Sequence, residues 1–186
     1  MQVLYSSKEL SVSEMYKVIE LALAPVRMND AETRNNGWDD YDVTIKVQTF
    51  CNKMIKQIEN KKDTWLDIHM ISDYAVVMFT GGLDGIKTLE KNMNHYGCFE
   101  KPDYSNSIQL SHFHITKPQR GIGKKWVVDN LFQKYKEEGF QDVYAFSTHQ
   151  KAFSFYNRLG KVIGTYKRES DNKKFTRDGE IYKIPL

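Results

Sequence analysis

Two glycines and four cations share one short turn of this chain. In "TKPQRGIGKK", residues 116–125, Gly121 and Gly123 stand among Lys117, Arg120, Lys124 and Lys125. An apolar, strand-like run enters the turn and a helix-like run leaves it. Glycines at a strand end let the backbone turn tightly and remove the Cβ atoms that block a close approach. The helix that follows offers free N–H groups at the positive end of its dipole. That combination suits phosphate, and the cations add long-range attraction for a polyanion. The turn lacks the Gly-Lys-Ser/Thr ending of a P-loop and the third glycine of a dinucleotide fingerprint.

Groups that move protons flank this turn. His112 and His114 lie just before it, and on an alternating strand they share one face, opposite Phe113 and Ile115. An imidazole with a pKa near 6.5 suits a general base, and a plain solvated or polar-packing role is the competing reading. Beyond the turn, "HQKAFSFYNRLG" carries Tyr156 and opens on His149. A phenol has an unperturbed pKa near 10. Tyr156 also reads as a packed aromatic beside Phe153 and Phe155, and His149 as a turn cap.

The elements that must position these groups follow from periodicity. Val3 to Tyr5 is a short apolar strand. Ser11 and Glu14 have capping-box spacing, and Met15, Val18, Ile19 and Ala22 recur at helical intervals until Pro25 stops them. A polar, turn-rich loop follows, with Asp42 the N-cap of a helix whose apolar face is Val43, Val47, Phe50, Met54 and Ile58. "TWLDIHMIS" and "YAVVMFTG" read as a hairpin turning at Ser72-Asp73. In the first of these strands Leu66, Ile68 and Met70 alternate with Asp67 and His69, as in a half-buried antiparallel strand. A helix is expected at about Gly85 to Asn94 and a strand from Ile108 to Ile115. Ile122, Trp126, Val127, Leu131 and Tyr135 mark the next helix, closed by Gly139. "DVYAFST" is a strand, the Tyr156 helix ends in a C-cap glycine, Gly160, and "KVIGTYK" and "EIYKIPL" are the last two strands. This order predicts a mixed α/β (α+β) fold in one domain, a central twisted mixed sheet flanked by helices.

With that order established, the chain resembles the acyl-CoA-binding core of the GNAT superfamily of N-acetyltransferases. The family's Gln/Arg-x-x-Gly-x-Gly/Ala turn appears here as "PQRGIG", Pro118 to Gly123, with Pro118 where Gln or Arg is usual. The family's Asn-x-x-Ala, its Tyr four residues after the Ala and a later Gly appear as His149, Ala152, Tyr156 and Gly160, with His149 in place of Asn. The resemblance covers Ile108 to about Ile163. The closing strand pair fits the family's layout, residues 1–107 match only in order of elements, and the helix near 85–94 is not a usual family feature. It implies a single acyltransferase domain over 1–186, with 1–107 as the acceptor-side half and 108–186 as the CoA-binding half.

The resemblance further implies acetyl-CoA as co-substrate, with no metal. Gln119, Arg120, Gly121, Ile122, Gly123 and Lys124 would hold the pyrophosphate. Phe113 and Ile115 before the turn, and His149, Ala152 and Phe153 after it, complete the implied CoA-binding set. Tyr156 would protonate the CoA thiolate, at a modest penalty for a phenol of pKa near 10 against a thiol of roughly 8.5, and His112 or His114 would take the amine proton, the acetyl group passing directly in a ternary complex. In the family the loop between the first two helices lines the acceptor site. Here it carries Asp30, Glu32, Asp39, Asp40 and Asp42 around Trp38, which suits a cationic amine.

Composition bounds the alternatives. The 186 residues are 40% hydrophobic and 27% charged, enough for one core. Residues 1–100 hold 11 Lys/Arg against 15 Asp/Glu, and residues 101–186 hold 16 against 9, so the net +3 conceals an acidic front and a basic back. No apolar run approaches a membrane span, no signal peptide opens the chain, and Cys51 and Cys98 are too few for a disulfide framework. A cytoplasmic protein is expected, acting on an amine in a small molecule or a protein, without membrane contact and with homodimerisation open. A protein lysine or a charged tRNA is an alternative acceptor. RNA would need "YKRESDNKKFTR" to form a continuous basic patch, which Glu169 and Asp171 interrupt. A non-catalytic binding protein with the same fold is the other reading.

Overall fold

The structure is a computed structural model that describes residues 2–28, 40–60, 62–72, 75–115, 122–169 and 176–186. Seven strands hydrogen-bond in the order β1-β2-β3-β4-β5-β7-β6. They are β1 (Gln2–Ser6), β2 (Trp65–Ile71), β3 (Ala75–Gly81), β4 (Ser107–Ile115), β5 (Asp142–Ser147), β6 (Lys161–Glu169) and β7 (Thr176–Pro185). The chain forms two compact units, Met1–Thr80 with His112–Gly121, and Gly81–Ser111 with Ile122–Leu186. No helix among the described residues is long and apolar enough to cross a membrane.

In the first unit, α1 (Val12–Met28) and α2 (Asp40–Glu59) cover β2 and β3. Ser11 and Glu14 form the expected capping box: the Ser11 amide donates to Glu14 Oε2 at 2.8 Å, and Ser11 Oγ receives the Glu14 amide at 3.4 Å. The Ser11 hydrogen bonds hold the Glu14 carboxyl below the usual carboxylate range. Met15, Val18, Ile19, Ala22 and Leu23 pack on Val47, Cys51, Met54 and Ile55, and both layers meet Leu66, Ile68, Met70, Val76 and Met78. Burial pushes the Cys51 thiol up to about 12.

Three expectations change here. Helix α1 continues through Pro25 to Met28, since the proline ring fixes φ at about −65°, within the helical range, and the lost ladder bond weakens a helix without having to end it. Helix α2 starts at Asp40, so Asp42 lies inside it and is not its N-cap. Strand β2 is covered on both faces: Leu66 through Met70 are all buried, Asp67 and His69 included. The Asp67 carboxylate is reached by Ser6 Oγ at 2.5 Å and His69 meets the Phe79 ring edge-on, so the polar half of the alternation is satisfied inside the protein. At the expected hairpin turn Ser72 takes a positive φ of 51°, and Asp73 lies outside the described residues.

In the second unit β4 pairs parallel with β5, and β7 runs antiparallel to both β5 and β6. One face is covered by α3 (Leu83–His95), the helix expected near 85–94, through Ile86, Leu89 and Met93 on Tyr144, Tyr166 and Ile181. The other receives α5 (Gln150–Tyr156).

The helix after the glycine turn, α4 (residues 122–137), is not uniformly α. Ile122–Lys124 and Gln133–Glu137 are α-helical, and Lys125–Phe132 between them is π-helical. The buried pairs Trp126-Val127 and Leu131-Phe132 explain this. They recur five residues apart, which an α-helix turning 100° per residue would set about 140° out of line, whereas the wider turn of i→i+5 bonding brings them towards one face. Gly139, at φ 96°, closes the helix as expected, with the Phe140 amide returning to the Tyr135 carbonyl at 3.0 Å.

Candidate functional site

Tyr156 ends α5, and its ring is buried with its centroid 4.9 Å from that of Tyr182 on β7, tilted by 31°. Phe155 meets Tyr156 edge-on at 5.2 Å, and Phe153 meets Tyr182 at 6.5 Å. The sequence "FSFY" thus lays a helix of aromatic residues onto a strand that carries its own aromatic. Burial alone raises the Tyr156 phenol well above its ordinary value. The modest proton-transfer penalty expected from a pKa near 10 therefore does not hold for the free protein. A thiolate in the same dry surroundings would also be more basic, which narrows the gap.

His149 is the N-cap residue of α5: its carbonyl accepts the Ala152 amide at 2.7 Å, and its own amide donates to Ser147 Oγ at 3.2 Å. Its side chain makes no capping bond, so its role in the turn is carried by the backbone. Gly160 is not a left-handed C-cap. Helix α5 is capped at Asn157, and a Cβ at Gly160 would run into the Lys183 carbonyl oxygen and lie 2.8 Å from Ile184 Cα. The glycine is required by the approach of β7 and not by its own φ.

The pairing of β4 with β5 has four rungs, from Ser107↔Asp142 to Leu110↔Ala145. Strand β5 runs on through Phe146 and Ser147, which remain paired with Ile181 and Glu180 of β7. Gly123 is buried in the first turn of α4, and Lys124 and Lys125 are exposed beside it. Gln119, Arg120 and Gly121 lie outside the described residues, as do Asp30, Glu32, Trp38 and Asp39 of the acidic loop.

In the first unit His112 and His114 do share a face of β4, their rings parallel to within 2° and 6.4 Å apart. Phe113 and Ile115 are half-buried beside them. The His112 ring is only partly exposed, and its Nε2 is buried without a hydrogen-bond partner. Burial first, and the neighbouring His114 second, push His112 down to about 3. It stays neutral at pH 7 and is a weaker base than an ordinary imidazole.

Two residues escaped the sequence reading. Tyr182 is fully buried, and its hydroxyl donates to the Glu180 carboxylate, with burial and then that bond raising the phenol. The period-2 pattern of "EIYKI" sets Glu180 and Tyr182 on one face. That this face meets α5 was not readable from spacing.

No family model and no curated protein matches this chain. Solved structures do. A protein described as a phosphinothricin N-acetyltransferase is 12% identical, with 100% of this chain and 99% of that one covered, at a TM-score of 0.54. The microcin C7 self-immunity acetyltransferase MccE, solved with acetyl-CoA and AMP, is 11% identical over 95% of this chain and 89% of its own, at 0.53. A protein described as a GNAT-family acetyltransferase from Desulfovibrio desulfuricans is 8% identical over 100% and 99%, also at 0.53. The chain has the GNAT fold.

Proposed function

We propose that the protein is an acetyl-CoA-dependent N-acetyltransferase, a single acyltransferase domain over residues 1–186. The observation that carries the reading is Tyr156, buried at the end of α5 against Tyr182, in a unit whose parallel β4–β5 ladder stops at Leu110↔Ala145. A phenol held at the end of a helix against a strand aromatic is placed to hand its proton to a departing thiolate. The acetyl-CoA complex of the similar MccE fold supports the co-substrate.

In this reading the backbone from Gly121 to Lys124 receives the pyrophosphate, with Lys124 and Lys125 supplying charge. The amine nitrogen attacks the thioester carbonyl carbon, the C–S bond breaks, and the sulfur takes the Tyr156 Oη proton. The amine gives up its own proton to a base. His114 is the better candidate for that base, because the depressed His112 holds a proton poorly. His112 then serves as a neutral hydrogen-bonding imidazole.

Thermal shift tests the reading. Acetyl-CoA at about a hundred times its Kd should stabilise the wild type by roughly 2.7 kcal/mol, about 5–10 °C for a chain of this length, and leave Gly121→Glu unmoved. No shift in the wild type would overturn it. The weak basicity of His112 favours a second reading, a binding protein that holds CoA without turnover. That reading requires the same thermal shift with no release of free CoA when amines are added.

A further inference from the structure

Between Phe153 of α5 and the β6–β7 pair lies an open groove of about 480 Å³, within the ordinary range for small-molecule sites. It is lined by Phe153 of α5 and by Thr165, Lys167, Asp178 and Glu180 of the β6–β7 pair. The register opposes Thr165 to Glu180 and Lys167 to Asp178. Because side chains alternate along a strand, these four share the face that carries Tyr182. Lys167 faces Asp178 across its rung and Glu180 faces the uncharged Thr165, so among the described lining residues two carboxylates stand against one cation. The orientation of Glu180 is set from beneath: the fully buried Tyr182 donates its hydroxyl to Oε2, which leaves Oε1 open to another donor. Phe153, which meets Tyr182 at 6.5 Å, adds an aromatic wall.

We propose that this groove seats the acetyl acceptor, a compound bearing one primary amine on an apolar body, with the Glu180 carboxylate holding the ammonium and the Phe153 ring packing against the body. The inference rests on the acyl-transfer reading and goes beyond it by naming the acceptor class. A charge-assisted N–H···O bond to a pre-oriented carboxylate, with an aromatic face alongside, is a strong seat for an ammonium. A monoamine with an apolar body is favoured over a polyamine, because the Phe153 ring rewards an apolar body and the two carboxylates of the lining are already met in part by Lys167. Tyr156 is linked to this groove through Tyr182, on whose ring its own ring rests and whose hydroxyl orients Glu180. Glu180 binds the acceptor and Tyr182 is a positioning residue.

Calorimetric titration of the full chain with phenethylamine and with spermidine tests this. The wild type should bind phenethylamine more tightly than spermidine, and Glu180→Gln should weaken phenethylamine by at least about tenfold, roughly 1.4 kcal/mol. Should Glu180→Gln fail to fold, Thr165→Arg, at an exposed position opposite Glu180, should give the same loss. No phenethylamine binding to the wild type, or equal binding to wild type and the folded variant, overturns the proposal. Stabilisation by acetyl-CoA with amine affinity unmoved by these changes defeats this inference alone. Absence of acetyl-CoA stabilisation defeats the acyl-transfer reading whatever the amine does.

Discussion

Tyr156 and Tyr182, on a helix and a strand far apart in sequence, pack with ring centroids 4.9 Å apart and a tilt of 31°. The contact uses the ring of Tyr156, whereas the proposed mechanism uses its hydroxyl, so the two can be tested apart. Tyr156→Phe should keep the fold within about 1 kcal/mol and cut acetyl transfer by roughly 10²–10⁴-fold, whereas Tyr156→Ala should cost about 3–5 kcal/mol. Chemical denaturation beside a free-CoA assay reads both. Full activity in Tyr156→Phe would remove the acid from the mechanism.

His112 makes stability depend on pH. Its folded pKa, near 3, lies below its unfolded value near 6.5, so the unfolded chain binds the extra proton between those values. Its contribution is complete above about pH 6.5 and is lost as pH falls towards 3. Urea midpoints between pH 7 and pH 4 should therefore fall more steeply for the wild type than for His112→Asn. Parallel curves would mean that His112 titrates normally.

Gly160→Ala should be costly although its φ is unremarkable. The added methyl meets the backbone of β7 at Lys183 and Ile184, which cannot move aside as a side-chain tip can. A loss of about 2–3 kcal/mol, or roughly 5–10 °C in Tm, is expected. A Tm within about 1 °C of wild type would show that β7 yields.

The Ser11–Glu14 capping box should be worth about 1 kcal/mol, read as the loss in Ser11→Ala by urea unfolding at pH 7. Glu14 has a depressed pKa, so its contribution is present above its unfolded value near 4.5 and fades as pH falls through the folded one. The difference between wild type and Ser11→Ala should shrink in acid. A constant difference down to pH 3, well below the ordinary glutamate value, would mean that the box does not depend on charge.

Cys51 should resist thiol reagents in the native protein. Its thiol is fully buried in the α1–α2 core and pushed up to about 12, so the reactive thiolate is scarce at neutral pH. Rapid labelling at Cys51 without denaturant would contradict the packing of that core.

Local rules read directly from the sequence held wherever one stretch of chain decides its own structure. The capping box at Ser11, the left-handed closure at Gly139 and the shared face of His112 and His114 each depend on residues within a few positions of one another. The order of strands and helices that shows the GNAT fold was legible for the same reason. What a second element imposes was not legible. Asp67 and His69 have the polar alternation of an open strand, yet both are buried, because Ser6 and Phe79 supply partners that spacing alone does not reveal.

The candidate site divides along the same line. Tyr156, His149 and the glycine turn were marked by spacing, but the depressed basicity of His112 and the raised phenol of Tyr156 come from desolvation, which exists only once the chain is packed. Glu180 and Tyr182 were an ordinary strand pattern until β7 was set beneath α5. Sequence by itself determined which groups are candidates to cradle phosphate or move a proton. Tertiary structure decided how strongly each holds its proton and which of them stand together, because burial and contact between distant segments are properties of the folded chain alone.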